Sequence, residues 1–114
     1  MTDCLFCKIV SGDVPAKIVR ESDRTVAFRD INPQAPTHVL VIPRDHHPNV
    51  AALAAADAEL LAELLREAGQ VAAGEGIDGT GYRVVFNTGA QAGQTVFHVH
   101  AHVLGGRGLN WPPG

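Results

Sequence analysis

Short apolar-rich stretches separated by turn-forming residues are the main pattern of this chain, and they predict β-strands. Five such stretches occur, at residues 18–20, 25–29, 38–42, 82–87 and 97–104. The first two predict a hairpin across Ser22 and Asp23, and Pro43 closes the third. Residues 32–36 contain two prolines and predict an irregular connection, because proline restricts the backbone and lacks a donor.

Residues 57–73 have the period of an amphipathic helix. Leucines and small apolar residues recur at helical spacing, charged residues occupy the other side, and Gly74 and Gly76 end the pattern. Residues 4–11 predict a short N-terminal helix ended by Gly12. The sequence therefore predicts an α+β fold in one domain, residues 1–114: a five-stranded antiparallel sheet with one long helix and a short N-terminal helix.

The last predicted strand contains three of the six histidines, His98, His100 and His102. Successive side chains of a strand point to opposite faces, so these three share one face and the intervening apolar residues occupy the other. Burying imidazoles is costly unless they are hydrogen-bonded, bound to a metal or lining a pocket. Neutral imidazole can also act as a nucleophile, base or metal ligand. The pattern therefore predicts the floor of an active site.

The loop before this strand, residues 88–95, contains Gly89 and Gly93 and ends in Thr95. Glycines let backbone N–H groups converge on an anion, and the threonine hydroxyl adds a donor. Most glycine-containing loops are plain turns. Beside the imidazoles, we interpret this one as a phosphate-binding loop.

Composition narrows the class of protein. The 114 residues carry a formal net charge of −3, which argues against binding a nucleic acid polymer through its phosphates but allows a single nucleotide. The start at Met1 lacks a signal-peptide pattern, and no apolar run is long enough to span a bilayer. We therefore expect a cytoplasmic protein with no membrane partner.

The two cysteines, Cys4 and Cys7, have the spacing of half a tetrahedral zinc site whose other ligands are histidines. Two alternatives remain open. A redox pair normally follows a strand, yet only three residues precede Cys4. Two buried thiols are the other alternative.

The run of residues 98–103, in which histidines alternate with apolar residues, resembles the signature of the histidine triad superfamily. Residues 28–38, residues 93–95 and the ending 105–114 are similar to its Hint branch, the purine nucleoside phosphoramidases. The resemblance covers nearly the whole chain. It implies a homodimer with a continuous ten-stranded sheet, in which the C-terminal tail of one subunit approaches the site of the other.

The resemblance implies a hydrolase that cleaves the phosphorus–nitrogen bond of purine nucleoside 5′-phosphoramidates, in which AMP or GMP is joined to an amine. The reaction would pass through a nucleotidyl-histidine intermediate. His100 matches the nucleophile, and His102 and His38 match flanking histidines that orient the phosphate oxygens and the nucleophile. Thr95 stands where serine is often found; its hydroxyl would donate to the phosphate or the leaving amine, and its methyl group would alter the leaving-group preference.

The implied nucleotide contacts come from several predicted elements. Asp30 would accept hydrogen bonds from the ribose hydroxyls. The contacts to ribose and phosphate are implied at Asn87, Gly93, Gln94, Thr95, His100 and His102. The apolar wall around the base is implied at Leu5, Phe6, Ile9, Phe28 and Ile31, for which ordinary core is the alternative.

The resemblance also implies one structural zinc ion per chain, held by Cys4, Cys7, His46 and His98, with His47 as a solvated neighbour. Three other functions remain open. The three histidines of residues 98–102 would make a metallohydrolase if they held a catalytic zinc, which the cysteine pair disfavours by offering a closed site. A dinucleoside polyphosphate hydrolase is disfavoured by the C-terminal tail. A purine nucleotide-binding interaction protein with incidental turnover is the third.

Overall fold

The computed structural model describes residues 3–114, within which it has three α-helices and a five-stranded sheet. The helices are α1 (Leu5–Ser11), α2 (Val50–Ala56) and α3 (Ala58–Gly74); the strands are β1 (Ile18–Glu21), β2 (Thr25–Arg29), β3 (Thr37–Pro43), β4 (Tyr82–Val85) and β5 (Ala101–Gly105). The strand order is β1-β2-β3-β5-β4, and every neighbouring pair is antiparallel. The predicted α+β fold is confirmed. None of the helices in residues 3–114 combines the length and apolarity needed to cross a bilayer.

Strand β3 lies in the middle of the sheet, and all of its residues are buried. Its side chains alternate between two cores. Val39 and Val41 pack in the core that α3 covers, whereas Leu40 and Ile42 pack with Phe6 of α1 on the opposite face. The sheet therefore separates a large core under α3 from a smaller core under α1.

Helix α3 forms where the sequence predicts it. Its buried residues recur at helical spacing and are Leu60, Leu64, Ala68, Val71 and Ala72. Asp57 caps its start, because the carboxylate accepts a hydrogen bond of 3.1 Å from the N–H of Leu60.

Helix α2 was not predicted from the sequence. Leu53 is its buried residue, so its seven residues show no amphipathic pattern. Its start carries a signal nonetheless: Asn49 is the N-cap, and its side-chain oxygen accepts from the N–H of Ala52 at 2.8 Å. An asparagine followed by alanines is therefore what could have indicated this helix.

Two predicted strands are too long. β4 ends at Val85 rather than residue 87, and β5 begins at Ala101 rather than residue 97. His98 and His100 therefore precede the strand, and the N–H of Val99 between them donates to the backbone carbonyl of His47 at 2.7 Å. The side chains still follow the predicted alternation: Val99 packs in the core under α3, and both imidazoles contact the ring of Phe6.

Glu75 joins the end of α3 to β2. Its two carboxylate oxygens accept hydrogen bonds from Nη1 and Nη2 of Arg29 at 2.8 and 3.0 Å. The Arg29 guanidinium therefore holds the pKa of Glu75 below its ordinary value of 4.5, although partial burial opposes the shift. The ion pair offsets the unfavourable position of a carboxylate at the negative end of the helix dipole.

We predict that Glu75→Gln lowers the free energy of unfolding near neutral pH by at most about 1 kcal/mol, as for other partly exposed ion pairs. Because folding lowers this pKa, the contribution of the carboxylate is present above pH 4.5 and is lost as the pH falls below that value. Denaturant unfolding of both proteins at neutral and acidic pH measures the difference. Asp78→Asn removes an exposed carboxylate three residues further along and is the control. A difference that stays constant with pH for Glu75→Gln would contradict the prediction.

Candidate active site and metal cluster

The candidate active site is a cavity of about 400 Å³ beside α1 and the start of β5. Its walls combine apolar side chains with the polar groups expected to hold a nucleotide. The predicted site residues that line it are Leu5, Phe6, Ile9, Phe28, Asp30, Ile31, Asn87, Gly93, Thr95, His100 and His102. The fold thus brings residues that are far apart in the sequence into one pocket.

Six further lining residues were not predicted: Val14, Pro15, Ala16, Arg29, Leu40 and Val96. Leu40 could have been found from strand alternation, because it lies two residues after His38 on the same strand. Residues 14–16 lie in the connection between α1 and β1, which has no periodic pattern to indicate a role.

The loop between β4 and β5 is organised around the buried side chain of Gln94. Its Oε1 accepts from the N–H of Gly89 at 2.9 Å, and its Nε2 donates to the carbonyls of Pro48 and Val96 at 2.8 and 3.1 Å. The N–H of Gln94 also donates to the carbonyl of Gly89, at 3.1 Å, and Gln94 does not line the cavity. Only its backbone carbonyl, an acceptor, is left for a nucleotide contact. Gly93 lines the cavity with a φ of 85°, a conformation that glycine adopts without strain.

The hydrogen position on His100 is fixed by the backbone. Nδ1 of His100 lies 2.8 Å from the carbonyl oxygen of His98. A carbonyl can only accept, so Nδ1 carries the hydrogen and Nε2 carries the lone pair. Burial lowers the pKa of His100, although the bond to His98 opposes this shift. The cavity is therefore lined by a neutral imidazole whose Nε2 can act as a nucleophile.

His38 and His102 form a hydrogen-bonded pair across β3 and β5. In the strand register, His38 lies opposite Leu104 and His102 lies opposite Leu40. The two histidines are therefore diagonal neighbours on one face of the sheet, within reach of each other. Nε2 of His38 is 2.9 Å from Nδ1 of His102.

The direction of this bond follows from a backbone donor. The N–H of Gln34 donates to Nδ1 of His38 at 3.0 Å, so neutral His38 carries its hydrogen on Nε2 and donates it to His102. Neutral His102 must then carry its own hydrogen on Nε2. This buried atom has no hydrogen-bond partner among the described residues. His102 thus presents an N–H donor suited to a phosphate oxygen.

Burial also keeps both imidazoles neutral. Burial first, and then the neighbouring His100 and His38, lowers the pKa of His102 to about 4. Burial likewise lowers the pKa of His38, against the effect of Asp30, whose Oδ2 lies 3.4 Å from Nε2 of His38.

The four predicted metal ligands lie together at the start of α1. Cys4, Cys7, His46 and His98 each offer one ligand atom, and these atoms all lie within 4.8 Å of one another. Nδ1 of His98 is 3.4 and 3.5 Å from the sulfurs of Cys4 and Cys7, and Nδ1 of His46 is 3.5 Å from the sulfur of Cys7. Two sulfurs and two imidazole nitrogens are a donor set for tetrahedral zinc. The cluster could hold one zinc ion.

His98 shows the hydrogen-bonding pattern of a metal ligand. Its Nε2 lies 2.8 Å from the carbonyl oxygen of Pro43, so Nε2 carries the hydrogen and Nδ1 directs its lone pair towards the two sulfurs. Chiefly through burial, the pKa of His98 is lowered to about 4, which keeps the ring neutral as a ligand must be. His47 is half-buried and lies outside the cluster.

A second group that could bind a metal, formed by Asp30, His38 and His102, lies at the cavity. The N–H of Gln34 keeps the hydrogen of His38 on Nε2, the nitrogen that faces the other two residues, and so disfavours a metal there. Within residues 3–114 the three alternating histidines do not form a metal-binding group with one another, because His98 faces the cysteines instead. A catalytic zinc held by these three histidines therefore does not fit the geometry.

Comparison with known proteins identifies one family over nearly the whole chain. The family model described as HIT domain matches residues 11–109. A HIT-like protein of Synechocystis sp. is 52% identical over 112 residues, which cover 98% of this chain and 97% of that protein. A 14 kDa zinc-binding protein of Zea mays is 47% identical over 112 residues, which cover 96% of this chain and 87% of that protein.

Solved structures agree with this result. A HIT family hydrolase from Legionella pneumophila superimposes with a TM-score of 0.94 at 50% identity, covering 98% of this chain and 100% of that one. A histidine triad nucleotide-binding protein from Candida albicans gives a TM-score of 0.84 at 32% identity, covering 96% and 83%. With its fold, its alternating histidines and these matches in agreement, the chain belongs to the HIT domain family and has the fold of HIT family hydrolases.

Proposed function

We propose that this protein hydrolyses the phosphorus–nitrogen bond of purine nucleoside 5′-phosphoramidates through a nucleotidyl-histidine intermediate. The observation that carries the proposal is the hydrogen bond of 2.8 Å from Nδ1 of His100 to the carbonyl of His98. This bond makes Nε2 of a neutral imidazole the nucleophilic nitrogen at the cavity. The solved relatives described as a hydrolase and as a nucleotide-binding protein support this class of reaction.

In the first step, the lone pair on Nε2 of His100 attacks the α-phosphorus. The phosphorus–nitrogen bond to the amine breaks, and its electron pair goes to the amine nitrogen, which takes a proton from solvent through the hydroxyl of Thr95. The Nε2–H of His102 donates to a phosphate oxygen and stabilises the charge that develops there. The amine leaves, and the nucleotide stays attached to His100.

In the second step, water attacks the same phosphorus. The bond between phosphorus and Nε2 of His100 breaks, its electron pair returns to the nitrogen, and the proton of the water passes to solvent as AMP or GMP is released. The carbonyl of His98 stabilises the imidazole of the intermediate, because it accepts from Nδ1–H when the ring becomes positively charged. One difficult displacement is thus replaced by two easier ones.

The proposed nucleotide contacts match the polarity of the cavity. The Asp30 carboxylate would accept from the ribose hydroxyls, and it is oriented by the N–H of Asn32, which donates to Oδ1 at 2.8 Å. The purine base would lie against the apolar wall, where the rings of Phe6 and Phe28 meet edge to face with centroids 5.4 Å apart. Asn87 and Gly93 would contact the ribose and phosphate. Gln94 would contribute only its backbone carbonyl, as an acceptor from a ribose hydroxyl, because its N–H donates to Gly89.

We further propose that Cys4, Cys7, His46 and His98 hold one structural zinc ion. When bound, the ion supplies folding free energy by tying the start of α1 to the segment before β5. The name of the Zea mays relative, a zinc-binding protein, supports this proposal. A reducing compartment such as the cytoplasm suits such a site, because it keeps cysteines as thiols.

A homodimer is part of the same proposal. Small or apolar residues form a stripe along the outer side of α3, at Ala58, Ala62, Leu65 and Gly69, of which the first three are exposed. β4 is an edge strand of the sheet. A two-fold interface that pairs α3 with its mate and joins the sheets through β4 would cover both features.

We predict that the purified protein contains about one zinc ion per chain and that the double variant Cys4→Ser, Cys7→Ser loses it. The double variant should melt at a lower temperature, by about 4 °C or more for each kcal/mol of stability lost. Turnover should persist in the folded fraction. Metal analysis and calorimetry measure both effects.

The adjacent histidines provide a matched control for the zinc site. His46→Ala should lower the zinc content, whereas His47→Ala should leave it at one per chain because His47 lies outside the cluster. Stoichiometric zinc in the double cysteine variant would refute the site. Complete loss of turnover on gentle chelation, with the fold intact, would favour a catalytic metal instead.

We predict that His100→Ala lowers kcat by several orders of magnitude, because the covalent route is lost. The affinity for AMP or GMP should fall by no more than roughly 1 to 2 kcal/mol, the contribution of one hydrogen bond. His102→Ala should reduce kcat less, since the nucleophile remains. A rapid quench of wild type with adenosine 5′-phosphoramidate should show an acid-labile nucleotide attached to His100.

His47→Ala is the control for this series, because it removes a half-buried histidine that does not line the cavity. Near-normal turnover by His100→Ala would overturn the mechanism. Equal losses of binding and rate would mean that His100 mainly holds the ground state. Wild type should also be assayed with a dinucleoside polyphosphate. If it hydrolyses this compound faster than adenosine or guanosine phosphoramidate, the dinucleoside polyphosphate is favoured as the substrate.

We predict a dimer in sedimentation at micromolar concentration. Leu65→Arg should weaken it, because a charge would lie in the proposed helix pair, whereas Asp78→Asn on the exposed surface should not. Deletion of residues 110–114 should keep the dimer but change the preference among leaving amines, since the tail would reach the neighbouring site. A monomer at this concentration would contradict the proposal.

A further inference from the structure

Arg107, a residue outside the cavity, holds the loop that connects Asp30 to His38. It follows β5, and its Nε and Nη2 both donate to the backbone carbonyl of Gln34, at 3.1 and 3.0 Å. Its Nη1 donates to the carbonyl of Gly108 at 2.8 Å, which fixes the guanidinium on its own turn. Neither Arg107 nor Gln34 lines the cavity.

The backbone of Gln34 connects this arginine to the histidine pair. The carbonyl of Gln34 receives Arg107, and the N–H of the same residue donates to Nδ1 of His38 at 3.0 Å. Only two rotatable backbone bonds separate the N–H from the carbonyl of one residue, because the flanking peptide units are planar. Holding the carbonyl therefore restricts the direction of the N–H.

The direction of that N–H matters because neutral imidazole has two tautomers. If the hydrogen of His38 moved to Nδ1, Nε2 of His38 would have to accept from Nδ1–H of His102. Nε2 of His102 would then carry a lone pair and face a phosphate oxygen as an acceptor. His102 would then repel the phosphate oxygen instead of donating a hydrogen bond to it.

We propose that Arg107 is a positioning residue that acts through the backbone of Gln34 to keep the hydrogen of His38 on Nε2, and thereby keeps His102 a donor towards the phosphate. Asp30, 3.4 Å from Nε2 of His38, favours the same tautomer, so loss of Arg107 should weaken this preference without abolishing it. The catalytic consequence rests on the function proposed above. The tautomer of His38 is a property of the substrate-free protein and can be measured without any reaction.

The experiment compares full-length wild type with Arg107→Ala and Arg107→Lys. Long-range proton–nitrogen NMR spectra of protein labelled with ¹⁵N-histidine report which ring nitrogen of His38 and His102 carries the hydrogen. Wild type should show it on Nε2 of both rings, and Arg107→Ala should show a fraction of His38 with the hydrogen on Nδ1. For adenosine 5′-phosphoramidate, kcat of Arg107→Ala should fall about tenfold with KM changed less than about twofold, the size expected from one misplaced hydrogen bond. Arg107→Lys keeps the charge but lacks the paired donors, so it should show a smaller change in both the tautomer of His38 and kcat. It is the variant to measure if Arg107→Ala does not fold.

Arg44 is the matched control. Its Nε and Nη2 donate to the backbone carbonyl of Ser22 at 3.2 and 3.0 Å, as those of Arg107 do to Gln34, and Nη2 also pairs with Glu21 at 3.0 Å. Arg44 does not line the cavity. Arg44→Ala should leave the tautomers and kcat as in wild type. The positioning role would be overturned if Arg107→Ala left the tautomer of His38 or kcat unchanged. It would also be overturned if Arg44→Ala lowered kcat as much as Arg107→Ala does. A tautomer shift in Arg107→Ala, with no hydrolysis of phosphoramidates even by wild type, would support the effect of Arg107 on His38 and refute the proposed function.

Discussion

The hydrogen bonds of His98 connect the candidate metal cluster to the candidate active site. Its Nε2 donates to Pro43 at the end of β3, its Nδ1 faces the sulfurs of Cys4 and Cys7, and its carbonyl accepts from Nδ1 of His100. Residues 97–100 lie outside the strand ladder, so this carbonyl is available to a side chain instead of a neighbouring strand. One buried residue, His98, therefore contacts both the candidate metal cluster and His100, the proposed nucleophile.

Burial of the imidazoles has a second consequence, because it lowers the pKa of each histidine in this face of the sheet. The rings remain neutral, and backbone groups then decide where each hydrogen lies. Carbonyls hold the hydrogen of His98 on Nε2 and that of His100 on Nδ1. The N–H of Gln34 donates to Nδ1 of His38 and leaves the hydrogen of that ring on Nε2. The site contains a nucleophilic nitrogen and an N–H donor as separate, defined groups because the acceptors and donors around the rings differ.

The two faces of the sheet differ in how many apolar residues they bury. The face under α3 contains most of the buried apolar residues and carries no histidine of the site. The face under α1 has a smaller apolar core, which borders the cavity and the metal cluster. The candidate site therefore lies on the less heavily packed side of the sheet, while the long helix packs against the other side.

The sequence determined the α+β class, the long helix and the side-chain alternation that places the histidines on one face, because these depend on periodicity along the chain. It also indicated most of the residues that line the cavity, but not Leu40 or residues 14–16, and the four candidate ligands, through spacing and through resemblance to a family. Helix α2 was missed because a single buried leucine gives no periodic signal. The late start of β5 was missed because the apolar–polar alternation continues through His98, although the hydrogen bonds to the neighbouring strands begin only at Ala101. Only the tertiary structure decided that the side chain of Gln94 bonds to its own loop and to Pro48, and which nitrogen of each imidazole carries the hydrogen. These features depend on backbone donors and acceptors such as Pro43 and Gln34, which folding alone brings next to the rings.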